Sequence, residues 1–185
     1  QQVMTSREIP AARKSAEKSD NLGSKLYGKK NINTAQLAVN YAGLLNEKEE
    51  YKKAKKVLKG KLAIMEARYG ENAIDMIAPL TELARAEFRP KKPEKSLAYF
   101  ERVSSIVSHQ DNPFFRANKN DEIASLLIDL GGREHTRPYY EAAHRDFASA
   151  LQPEDARLGK SSFQMAVLAI QDREFEDAAD YLDAA

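Results

Sequence analysis

The segment Tyr27-Gly28-Lys29-Lys30-Asn31-Ile32-Asn33-Thr34-Ala35 is answered 42 residues later by Tyr69-Gly70-Glu71-Asn72-Ala73-Ile74-Asp75-Met76-Ile77. The match is one of residue class: Tyr-Gly, a polar connection, then an apolar residue opening a helical pattern. It continues outward, with Ala38, Tyr41 and Ala42 answered by Leu80, Leu83 and Ala84, and Ala54 and Leu58 by Ser96 and Phe100. A period of this size is the signature of stacked helical repeats, in which one unit cannot bury its apolar face alone and must lie against its neighbours.

Within the repeats the apolar spacing is helical. Thr34 to Asn46 places Leu37, Ala38, Tyr41, Ala42 and Leu45 in register, and Asn33 or Thr34 is positioned to cap its start. Tyr51, Ala54, Val57, Leu58, Leu62 and Met65 fall at steps of three and four, with Lys52, Lys53, Lys55, Lys56 and Lys59 opposite, which predicts one amphipathic helix with a lysine-rich outer face. The pair recurs as Ile74 to Phe88 and Pro93 to His109, where Pro79 must sit in the first turn or bend the helix. Asp111-Asn112-Pro113 reads as a breaker, Asn120 to Leu130 as the next opening helix ended by Gly131-Gly132, and Arg133 to Pro138 as an enlarged loop. Tyr140 to Leu151, Ser161 to Gln171 and Phe175 to Ala185 complete the series, and Pro10 to Leu26 reads as a second helix without its first.

Composition is that of an ordinary soluble domain, with 42% hydrophobic and 31% charged residues in a chain of 185. No apolar run reaches the roughly 20 residues that span a membrane, and no signal segment stands at Gln1. The chain opens at Gln1-Gln2 without Met and stops at Ala184-Ala185 inside a predicted helix, so a processed form or a piece of a longer protein is expected. The absence of cysteine excludes disulfides and thiolate metal sites and is compatible with an exported, periplasmic location, with a cytoplasmic one as the alternative. Charge is uneven: residues 1–68 hold 15 Lys and Arg against 7 Asp and Glu, and residues 120–185 hold 6 against 14. In a linear array that gives a basic end and an acidic end.

The second helices carry an aromatic, then Ala, then a large apolar residue: Tyr51/Ala54/Leu58, Tyr140/Ala143/Phe147 and Phe175/Ala178/Leu182, with Pro93/Ser96/Phe100 as a degenerate copy. Met165-Ala166 and Ala169 precede the last of these. These positions resemble the tetratricopeptide repeat, and the unit length with its Tyr-Gly junction is similar to the longer variant of kinesin light chains and many bacterial proteins. The resemblance spans Pro10 to Ala185 and implies an all-α, right-handed superhelix forming a single solenoid domain of about four helix pairs plus a half repeat. It further implies a concave side, lined by first helices, that holds a peptide or a partner helix. By register the groove-facing positions are Gln36, Val39, Asn40 and Gly43; Thr81, Arg85, Phe88 and Arg89; Asn118, Asp121, Glu122 and Ser125; and Phe163, Gln164 and Val167. Some relatives clamp a peptide carboxylate with Lys and Asn. Asn40 has an equivalent place here, but the Lys expected near Val39 is missing.

Arg85 and Arg89 stand one helical turn apart beside Phe88, a set that can fork onto carboxylates and stack on a bound side chain; the alternative is pairing with Glu82 or Glu122, or plain exposure. The lysines from Lys52 to Lys61 could neutralise phosphates, but no exposed aromatics are interleaved and no nucleic-acid motif is present, so a solvated helix face is the simpler reading. His109, His135 and His144 lack metal-ligand spacing, Glu154-Asp155 and Glu176-Asp177 belong to helix starts and outer faces, and no phosphate loop or nucleophile turn occurs. The sequence therefore points to a scaffold that binds a protein or peptide, without catalytic residues, metal or cofactor. Two other readings are a repeat domain that positions a further C-terminal module, for example TonB-like, and a self-assembling array whose basic end meets the acidic end of another copy.

Overall fold

A computed structural model describes residues 8–183 and 185, which contain α-helices, short 3-10 turns and no strand. The described residues form two compact units, and the chain passes from the first to the second between Val103 and Ser104.

In the first unit, α1 (Glu8–Leu26) packs on α2 (Ile32–Asn46), which packs on α3 (Tyr51–Leu58), α4 (Lys61–Tyr69) and α5 (Ile77–Glu87). The repeat seen in sequence has an atomic counterpart at its junctions. Gly28 and Gly70 both adopt left-handed backbone, φ 84° and 91°, and their carbonyls accept equivalent hydrogen bonds from Asn31 N and Ala73 N, both at 3.3 Å. Only glycine takes that conformation without strain, which is why the junction is Tyr-Gly in both copies. After the turn the copies diverge. Asn31 caps α2 through a bond from Asn33 N to Oδ1 at 2.8 Å, whereas Ala73 has no cap to offer and a 3-10 turn, Ile74–Met76, precedes α5. Pro79 falls in the first turn of α5, where its missing N–H leaves no ladder bond unmade.

One predicted helix is corrected. The apolar register from Tyr51 to Met65 is divided at Lys59-Gly60, because Gly60 enters left-handed backbone (φ 75°) and redirects the chain into α4. α6 (Glu94–Ser108) begins against α5, where buried Ser96 donates from Oγ to Ala84 O at 2.7 Å. Arg102, further along α6, reaches Glu66 of α4 at 2.9 Å.

In the second unit α7 (Pro113–Asp129), α8 (Arg137–Ala150), α9 (Ala156–Asp172) and α10 (Phe175–Asp183) pack in succession. Two helix starts lie earlier than the apolar pattern predicts. Asn112 caps α7 by accepting from Phe115 N at 3.1 Å, with Pro113 at the first helical position, so the supposed breaker is a start signal. Asp155 caps α9 in the same manner, accepting from Arg157 N at 3.0 Å. The side-chain and backbone N–H groups of Arg157 both donate to the Asp155 carboxylate and hold it down to about 2. A 3-10 turn, Arg133–His135, lies inside the predicted enlarged loop.

The small positions behave as the packing code requires: Ala42, Ala54, Ala166 and Ala178 are all buried. The bulky positions do not all follow. Tyr140 and Phe147 are buried, and Phe147 meets Phe114 edge-on with ring centres 6.1 Å apart. Phe175 and Leu182, in the helix whose sequence is most regular, are exposed.

Candidate partner-binding surfaces

In the first unit the first helices α2 and α5 lie side by side. Asn46, buried at the end of α2, donates from Nδ2 to Glu82 O at 2.9 Å and to Glu82 Oε2 at 2.7 Å. Gly43 lies under the same carboxylate, where an added Cβ would sit 3.3 Å from Glu82 Oε1. Burial pushes the Glu82 carboxyl up from its usual value despite the opposing pull of Arg85 and the Asn46 bond.

Arg85 belongs to that cluster. Its side chain is 14% exposed and bonds Glu47 Oε1 at 2.6 Å and Glu82 Oε2 at 3.3 Å. Burial works against its charge, but the two carboxylates more than offset it and hold the guanidinium above its ordinary range. Phe88 is 4% exposed and is core. Arg89 is exposed and turns its guanidinium onto the backbone carbonyl of Phe88. Of the readings open for this set, the pairing of Arg85 with Glu82 is the one present, and a half-buried Arg85, a core Phe88 and an exposed Arg89 stand there. Burial also withdraws Val39. Gln36 and Asn40 are exposed on α2, Gln36 donating to Tyr69 Oη at 2.7 Å, and Thr81 is half-buried on α5.

In the second unit the first helices are α7 and α9, joined by Lys160 Nζ to Asp121 Oδ2 at 3.2 Å. Asn118 is exposed and donates back to Phe114 O at 2.6 Å. Glu122 pairs with Lys119 at 2.7 Å, and Ser125 is half-buried. Phe163 is 50% exposed and Ile170, two helical turns on, 48% exposed. Half-buried Val167 lies between them, giving an apolar stripe along α9.

His144 donates to or accepts from Ser161 Oγ at 2.9 Å and meets Tyr181 edge-on, with ring centres 5.4 Å apart. Burial lowers its pKa from the ordinary value. Neither it nor any other group among the described residues forms a cluster able to hold a metal ion, and no helix among them is long and apolar enough to cross a membrane.

Two features escape sequence reading. The Asn46–Glu82–Arg85–Glu47 cluster joins residues up to 38 positions apart. A groove of about 510 Å³ is lined by lysines of α3 together with Leu83, Lys95 and Tyr99. The helix break at Gly60, visible as a lone glycine within an apolar register, was the one local signal of it.

No protein-family model matches the sequence, and no curated protein matches it. The solved structures do yield neighbours. A kinesin light chain protein from Podosopora anserina with nearly identical TPR-like repeats superposes with a TM-score of 0.76 at 16% identity, covering 95% of this chain and 84% of that one. A variant of the same protein superposes with a TM-score of 0.75, with the same identity and coverage. The chain therefore has the all-α, TPR-like helical-repeat fold.

Proposed function

We propose that this protein is a non-enzymatic scaffold that binds a partner protein or peptide across the first helices of its pairs. The observation that carries this reading is the stripe of Phe163, Val167 and Ile170 on α9. Large apolar side chains left half in water at helical spacing, on a helix whose Met165 and Ala169 are buried, favour docking of an apolar partner segment. Asn118, exposed on α7 of the same unit, offers further polar groups. In the first unit Gln36, Asn40, Thr81 and Arg89 supply a polar surface of the same kind, while Arg85 and Phe88 serve it from beneath by holding α5 in place. The TPR-like fold supports the same reading, since helix pairs stacked in sequence present extended surfaces rather than one enclosed pocket.

The experiment is a crosslinked pull-down with the parent chain and a Phe163→Asp/Ile170→Asp variant as paired baits, followed by titration of any protein captured by the parent alone. A partner that loses at least tenfold in affinity for the variant, with helicity retained, supports the reading. Equal capture by both chains overturns it.

A further inference from the structure

The lysine face of α3 is not a plain solvated surface. Because Gly60 ends α3 and turns the chain into α4, the lysines stand over an opening rather than along a continuous helix. The groove holds about 510 Å³, within the range of about 300–1,000 Å³ typical of clefts that bury ligand groups. Its floor is apolar: Leu58 and Leu83 are buried at its base, and half-buried Leu62 and Tyr99 face it. Its rim is Lys52, Lys55 and Lys56 from α3, Lys59 from the link that follows it, and Lys95 from α6. One carboxylate, Glu87, lines it, and that group is already saturated by Lys55 and Lys95, each at 2.9 Å. Lys52, Lys56 and Lys59 are exposed and form no ion pair with a described residue.

Five cations around one neutralised carboxylate make a strongly one-signed rim, and an apolar floor beneath it selects more than charge. We propose that this groove docks an acidic amphipathic segment of a partner protein, with leucine or aromatic side chains on the floor and carboxylates on Lys52, Lys56 and Lys59. Nucleic acid fits less well, because a sugar-phosphate backbone gains nothing from Leu58, Leu62 and Leu83, and Tyr99 is half-buried rather than presented as a stacking platform. The site is separate from the first-helix surfaces of the preceding section, since its cations come from the second helices.

The test uses the full chain and a fluorescein-labelled peptide of about three helical turns, with Leu and Phe on one side and Glu on the other. Controls are the same peptide with Lys for Glu and a thymidine single strand of similar length. The expected result is binding of the acidic peptide that weakens with salt. It should fall roughly five- to twentyfold in Lys56→Glu/Lys59→Glu, fall again in Leu62→Asn, and remain unchanged in Phe163→Asp/Ile170→Asp. That last variant separates failure of this site from failure of the first-helix reading. Circular dichroism must show each variant helical, and Lys52→Gln/Lys56→Gln, which leaves the floor intact, should give an intermediate loss if a reversal variant unfolds. Absence of peptide binding, peptide binding indifferent to Leu62, or tighter binding of the DNA strand would overturn the proposal. So would salt-sensitive self-association of the parent that Lys56→Glu/Lys59→Glu abolishes, because the groove would then take a second copy.

Discussion

Asn46 Nδ2 bonds both the backbone oxygen and the side-chain carboxylate of Glu82, at 2.9 and 2.7 Å, so the end of one first helix is tied to the middle of the next. The bond brings a carboxylate out of water, and burial outweighs Arg85 and Asn46 in raising its pKa above 4.5. A carboxyl whose folded pKa is raised contributes stability that is fully present below its unfolded value and lost as pH rises through the folded one. Glu82→Gln should therefore flatten the loss of stability on raising pH above about 4.5. Thermal melts of parent and variant between pH 4 and 7 measure it; parallel curves would count against a perturbed Glu82.

His144 is shifted the other way. Burial lowers its pKa below 6.5, so its neutral form, held against Ser161 and Tyr181, favours the fold. That contribution is complete above the unfolded value and is lost as pH falls through the folded one. The melting temperature should drop on going from pH 7.5 to 5.5, and by less in His144→Gln. Proton NMR titration of the His144 ring would show the lowered midpoint directly.

Gly60 has left-handed backbone, and no atom outside its own chain neighbours lies within 4 Å of where a Cβ would stand. Gly60→Ala therefore meets no clash, only backbone strain of about 1–2 kcal/mol. Urea unfolding should show that loss. The reverse applies at Glu49, a non-glycine residue with φ 57° in the turn after α2: Glu49→Gly should cost nothing or stabilise by a few tenths of a kcal/mol.

Phe100 is wholly buried and occupies the bulky position of a second helix that otherwise departs from the repeat pattern, with Ser96 in place of Ala. Phe100→Ala should cost about 3–5 kcal/mol, enough to unfold much of the population at physiological temperature. Retention of most stability would mean that the neighbouring helices collapse into the vacated space.

Docking on α9 predicts that Phe163→Asp leaves the melting temperature nearly unchanged, since the ring is half in water already. Binding of a partner to the first-helix surface should fall, while binding of an acidic peptide at the lysine groove should not. Fluorescence titrations of the two ligands with one variant distinguish the surfaces.

Helix pairs, Tyr-Gly turns and buried alanines were legible in the sequence because each is fixed by residues within a few positions. Ladder bonds span four residues, a left-handed glycine answers to its own backbone, and apolar spacing repeats every three or four. The starts at Asn112 and Asp155 lie several residues before the apolar spacing begins, and Asp111-Asn112-Pro113 reads as a breaker until its cap is seen bonded to Phe115. The surface was not legible in the same way. Whether Arg85 faces a ligand or pairs with Glu82 depends on Glu47, 38 residues away, and Phe88 is buried by neighbours that register alone cannot name. The lysines from Lys52 to Lys59 were legible as a row of charges. Only the packing of α3, α4, α5 and α6 turned it into the rim of an apolar groove, because a cavity belongs to no single helix and exists only where side chains from several of them fail to meet.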